Sequence, residues 1–125
     1  MWIVVLLVLI MLDQVSKHYL SFVTNTGAAF GILKGFNIPL LIVSLVALIF
    51  CIYFYVKEKK LRLSLIFLMA GIVGNSIDRI FLGHVRDFID IGIFNFPVFN
   101  LADSYNVIGV IIIIIILQKS KPKSL

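Results

Sequence analysis

The chain has 125 residues, 62% of them hydrophobic, and a mean hydropathy of +1.15. One domain fits that length, and ordinary soluble domains are only about 45–50% apolar, so a water-soluble globule is excluded. The net charge of +5 does not imply nucleic acid, because seven of the eleven basic residues fall in two short places beside apolar stretches: Lys57, Lys59, Lys60 and Arg62, then Lys119, Lys121 and Lys123.

Four stretches approach membrane-spanning length, at about 1–20, 39–56, 61–80 and 101–117. A helix of about 17 residues covers about 26 Å, close to the ~30 Å of a bilayer's hydrocarbon layer. The expected fold class is therefore an all-α membrane protein of four transmembrane helices in one integral domain, 1–125. The first stretch carries Trp2 at an interfacial position, no basic leading region, and Asp13 with Lys17 inside it. It reads as a retained span and not as a cleaved signal peptide. Asp13 and Lys17 stand four apart, so a helix puts them on one face as a pair.

Residues 21–38 form a connection holding Asn25-Thr26-Gly27-Ala28-Ala29-Phe30-Gly31. The Gly27/Gly31 spacing is that of a helix-packing GxxxG, but it lies outside a clear apolar run. Pro39 suits a helix start, and Cys51, embedded in the second span without a histidine nearby, reads as a structural thiol. The third span ends in small and polar residues from Gly71 to Arg79, with Asn75 and Asp78 among them. Segment 81–100 mixes charge with Phe88, Phe94, Phe96 and Phe99, as an interfacial segment does. Asn100 and Asp103 are spaced as a helix N-cap and its N3 partner, opening the fourth span. The run Val110–Ile116, with six consecutive isoleucines, is a plausible helix wall in lipid.

The basic clusters are expected on the cytoplasmic side, which places both termini inside and residues 21–38 and 81–100 outside. Five of the six acidic residues are then aspartates gathered toward the outer face: Asp13, Asp78, Asp87, Asp90 and Asp103. Carboxylates beside hydrocarbon are costly unless paired, hydrated or used. Each has a structural explanation available, as a helix cap, an ion pair with Lys17, a polar clamp with Asn75, or a solvated charge. No G-x-S-x-G, H-E-x-x-H or Cys/His pair is present, and the single His18 and His84 read as interfacial surface residues, so no metal site is expected. Asp87 and Asp103 flank the short outer segment from different elements. Two carboxylates brought together share a proton; the ionised one can activate water while the protonated one polarises a carbonyl. Two other readings compete: a small ion conductor using aspartates as relays, and a structural subunit whose aspartates only cap and pair. The first needs polar groups through the midplane, and spans two and four are almost free of them.

Five motifs carry a specific resemblance. Asp13-Gln14-x-x-Lys17, Asn25-Thr26-Gly27-Ala28-Ala29-Phe30, Gly74-Asn75-x-x-Asp78-Arg79, Val85-Arg86-Asp87-Phe88-Ile89-Asp90 and Phe99-Asn100-Leu101-Ala102-Asp103-Ser104 occur in that order. Together they resemble the bacterial lipoprotein signal peptidases (signal peptidase II). The resemblance implies an intramembrane aspartic endopeptidase of the bacterial inner membrane, with its active site at the outer face. It would cut a prolipoprotein before its diacylglyceryl-modified cysteine, without a cofactor. It assigns Asp87 and Asp103 to the catalytic dyad, and Asn25, Asn75, Arg79, Asn100, Asp13 and Lys17 to positioning the dyad or the substrate. Expected partners are the prolipoprotein, membrane lipid and a globomycin-type inhibitor, with the chain a monomer. One departure stands out: eleven residues separate Asp13 from Asn25, and several must finish the first helix. That leaves little room for the strands with which the family cradles its substrate.

Overall fold

The structure, a computed structural model, describes residues 1–28 and 32–122. Ala29 and Phe30 of the second motif, Gly31 of the GxxxG spacing, and Lys123 of the basic tail lie outside the described residues. Four long helices, α1 (Trp2–Leu20), α2 (Asn37–Lys57), α3 (Arg62–Leu82) and α4 (Leu101–Lys119), fall within two residues of the predicted spans. Each is long and apolar enough to cross a membrane. Their outward surfaces carry exposed Ile, Leu, Val and Phe side chains along their length, as a lipid-facing wall must.

α3 is the hub. It packs against α4, α1 and α2, and half of its apolar window is buried, against 6% for α2. Small residues make the central contacts. Gly74 of α3 lies where any Cβ would collide with the Asp13 carboxylate of α1 and crowd Ala102 of α4. Three helices therefore meet at one point only because this residue lacks a side chain.

The apolar core, Leu65, Ile66 and Met69 with Cys51, occupies the α2/α3 side, padded by Leu6, Leu9 and Leu48. At the other end of the bundle the buried residues are polar. Lys17 and Asp13 are fully buried and Asp78 nearly so. The Lys17 ammonium lies 2.7 Å from Asp13 Oδ2 and 3.3 Å from Asp78 Oδ2. It also donates to the Gly74 carbonyl and to Asn75 Oδ1. Asp13 uses its other oxygen to accept from the Ala102 amide, 2.9 Å away in the first turn of α4. One cation thus joins α1 to α3, and its partner aspartate joins α1 to α4.

The expectation of an all-α chain needs one amendment, and so does the expected lack of room for strands. α1 ends at Leu20, the backbone at Ser21 is already extended, and Val23–Asn25 forms strand β1 antiparallel to β2 (Val85–Asp87). Val23 pairs with Asp87, Thr24 with Arg86 and Asn25 with Val85. The two strands follow adjacent helices, α1 and α3, and run in opposite directions, so the start of β1 lies beside the end of β2. Beyond β2, Ile89 and Phe99 pair antiparallel and close a loop whose apolar tip includes Phe94, 95% exposed.

Replacing Lys17 by Met keeps much of its volume but leaves the two acidic groups without their shared cation. Removing one partner of a buried charge pair costs about 3–5 kcal/mol. The Lys17→Met protein is expected to melt well below the wild type in detergent. An unchanged melting temperature would show that the ammonium is not holding the helices.

Candidate active site

α4 begins with a reciprocal cap. Asn100 Oδ1 accepts from the Asp103 amide at 2.9 Å, and Asp103 Oδ2 accepts from the Asn100 amide at 3.3 Å, a capping box at the helix start. This local geometry fixes both side chains, and the spacing of the two residues made it legible in the sequence. What the spacing did not disclose is the use of the remaining atoms. Asn100 Nδ2 donates to Asp87 Oδ1 at 2.9 Å and faces Asn75 Oδ1 at 3.0 Å. Asn75 Nδ2 in turn donates to Asp103 Oδ1 at 3.0 Å. The chain Asp87–Asn100–Asn75–Asp103 therefore ties strand β2, the cap of α4 and the face of α3 into one buried polar cluster. All four residues are buried, Asn75 the most exposed of them at 6%.

Asp87 sits at the end of β2, held over the bundle by its register with β1. Its carboxyl is pushed up to about 6, first by burial and then by the negative charge of Asp103. The amides of Asn100 and Asn25 act in the opposite direction. Such a group exchanges its proton near neutral pH, as a general acid or base must.

Around this centre the other predicted site residues take distinct places. Asn25 builds the loop above: its Oδ1 accepts from the Gly27 amide and its Nδ2 donates to the Ala28 carbonyl, both at 2.8 Å. Arg79, 7% exposed, donates from Nη2 to the Gly27 carbonyl at 2.9 Å, attaching that loop to α3. Asp13 and Lys17 lie one layer further along α1, reaching the cluster through the contact of Lys17 with Asn75. Asp90 is not brought in: it is exposed, and its carboxylate accepts from the Gly92 amide of its own turn.

The reading of Asp78 with Asn75 as a polar clamp between helices holds in the sense that both reach other elements, and they do so through different partners. Asp78 binds Arg86, with the Arg86 amide and Nε on Oδ2 and Nη2 on Oδ1 at 2.9 Å, as well as Lys17. This contact raises the Arg86 guanidinium above its ordinary range. Asn75 and Asp78 stand three apart on α3, yet each finds a better partner on another element, an effect no local spacing encodes. Gln14 and Arg86 were also missed as site builders. Gln14 Nε2 donates to Asp13, Asp78 and the Gly74 carbonyl, and its Oε1 accepts from Arg86 Nη2 at 2.9 Å. The only sequence signal for either is its place inside a motif.

Comparison with known proteins identifies the family. Residues 5–119 match the family described as signal peptidase (SPase) II. Lipoprotein signal peptidases of Staphylococcus aureus strains JH9 and Newman are each 44% identical to the chain, with 85% of this chain and 70% of the relative covered. Two solved bacterial membrane enzymes are similar in structure. One, determined in meso at 2.3 Å resolution, has a TM-score of 0.87 and 34% identity, covering 99% of this chain and 93% of its own. The other, at 1.9 Å, has a TM-score of 0.84 and 36% identity, covering 96% and 94%. With a family match across nearly its whole length, four helices long and apolar enough to span a membrane and a buried polar cluster at one end of them, the chain belongs to the signal peptidase II family and is a peptidase.

Proposed function

We propose that Asp87 and Asp103 are the catalytic pair of an aspartic endopeptidase that removes signal peptides from prolipoproteins, cutting before the diacylglyceryl-modified cysteine. The observation that carries this reading is the pair of carboxylates on separate elements, linked through the amides of Asn100 and Asn75. With one proton between them, the ionised carboxylate takes a proton from water. Its oxygen then attacks the scissile carbonyl, which the protonated partner polarises. Collapse of the tetrahedral species breaks the C–N bond and returns a proton to the leaving amine. The pair titrates as a unit, and both macroscopic steps belong to it.

The site then opens at the outer face of the bacterial inner membrane, both termini are cytoplasmic, and the 88–99 loop rests at the interface. The charge asymmetry supports this orientation: the opposite end of the bundle carries Lys57, Lys59, Lys60 and Arg62. The exposed Ile91, Ile93 and Phe94 suit an interfacial loop. Asn25 and Arg79 hold the loop that covers the substrate, and a globomycin-type inhibitor would occupy the same cleft. The chain acts as a monomer on its lipidated substrate.

Purified protein incubated with a diacylglyceryl-modified lipobox peptide is expected to cleave it, and globomycin to block cleavage. Asp87→Asn and Asp103→Asn should each lower the rate by about a thousandfold or more, since each removes one half of the acid–base pair. Cleavage surviving in either variant would eliminate the dyad.

Asp87 also sets a pH dependence of stability. Its carboxyl titrates at about 6 in the folded chain and near 3.8 when unfolded, so between these values the folded state holds more protons. Stability therefore falls as pH rises through that window, by up to about 3 kcal/mol. Asparagine stays neutral throughout. Asp87→Asn should melt higher than the wild type at pH 8 and close to it at pH 4; an equal offset at both would show that ionisation of Asp87 costs nothing.

A further inference from the structure

Among the described residues, three buried side-chain polar atoms have no hydrogen-bond partner: Asn37 Oδ1, Arg79 Nε and Asn106 Oδ1. The last two belong to residues lining one cavity of about 150 Å³ between α2, α3 and α4, and that cavity is also lined by Asn75 and Asp103. Buried polar atoms without partners cost about 1–3 kcal/mol each, so two beside one small cavity next to the dyad call for a reason. Asn106 belongs to none of the five motifs. It stands one turn beyond Asp103, about 4.5 Å further along α4 toward the opposite membrane face. Its side chain fits because Gly71 leaves the facing surface of α3 bare; a Cβ there would collide with Asn106 Oδ1 and with the Ala102 carbonyl.

A peptide bond in a helix is shielded, so a substrate crossing the membrane as a helix must unwind near the cut. Its freed N–H and C=O groups then lie at a depth where water cannot serve them. We infer that Asn106 is a substrate-binding residue whose side-chain amide pairs with the unwound main chain of the substrate, one or two residues before the scissile bond. The apolar part of a signal peptide precedes the cut and lies in the membrane, so this side of the chain faces the deeper turn of α4. Arg79 Nε supplies a donor and the Asn106 amide an acceptor, the complement of one peptide unit. The inference rests on the proposed peptidase reading and adds a subsite to it.

The test uses the full chain in phospholipid nanodiscs with a diacylglyceryl-modified lipobox peptide. Ester analogues, each replacing one N–H with oxygen at the three positions before the cysteine, are assayed alongside it. Asn106→Leu is expected to raise KM about tenfold, the scale of one lost hydrogen bond, with kcat within about twofold. Its melting temperature should equal or exceed that of the wild type, because an unpaired buried oxygen is gone. One ester analogue should show the same KM loss with the wild type and no further loss with Asn106→Leu. Asn106→Ala serves as the second variant and should behave alike. If KM is unchanged in folded Asn106 variants while the wild type cuts, the amide holds only a water or nothing, and the inference is overturned. It is equally overturned if the Asn106→Leu loss multiplies with that of every analogue. A wild type that does not cut the peptide, or Asp87→Asn that still does, removes the peptidase reading and this inference with it.

Discussion

A single buried ammonium organises this protein. Lys17 lies among Asp13, Asp78, the Gly74 carbonyl and Asn75 Oδ1, with no exposure to solvent. In a bilayer the apolar effect gives helices little reason to prefer one another over lipid, so close packing and polar contacts must decide how they associate. Without the cation, two carboxylates would face each other across α1 and α3. With it, α1 gains a fixed position against α3, and Asp13 can reach across to the first turn of α4. The polar groups at the C-terminal end of α3 inherit their placement from that contact, including the Asn75 amide that bridges toward Asp103.

The polar cluster is layered. Gln14, Asp78 and Arg86 form an outer clasp that fastens the start of β2 to α1 and α3. β2 in turn carries Asp87, and its pairing with β1 keeps that residue above the bundle. Asp87 and Asp103 thus arrive by independent routes, one through a strand and one through a helix cap. Asn100 and Asn75 fix their relation. A site assembled this way depends on the bundle, because none of its elements could hold the two carboxylates alone.

The sequence disclosed the features whose causes are local. Helical spans appeared as apolar length, the Asp13–Lys17 pair as a four-residue spacing, and the Asn100–Asp103 cap as a three-residue spacing; all three occur in the structure. The ribbon was missed because three-residue strands leave no periodicity and take their hydrogen bonds from a partner about sixty residues away. The choice of Arg86 and Lys17 by Asp78, over its near neighbour Asn75, reflects charge and packing between elements, which spacing cannot rank. Asn106 had no spacing signal of its own: an amide closing the polar run Asp103–Asn106 at the start of α4 acquires meaning only when Gly71 is seen to face it.

One feature of the buried cluster bears on the chemistry through simple electroneutrality. Asp13 and Asp78 carry two negative charges, and Lys17 and Arg86 two positive ones. Arg79 adds a third positive charge, felt by Asp103 and Asp87. Against it stand two further carboxylates, so the group as a whole is neutral when Asp87 and Asp103 hold one proton between them. Two protons would leave it cationic and none would leave it anionic, each disfavoured beside hydrocarbon. The half-protonated state that the proposed acid–base hydrolysis requires is therefore also the state in which the charges of this buried cluster sum to zero.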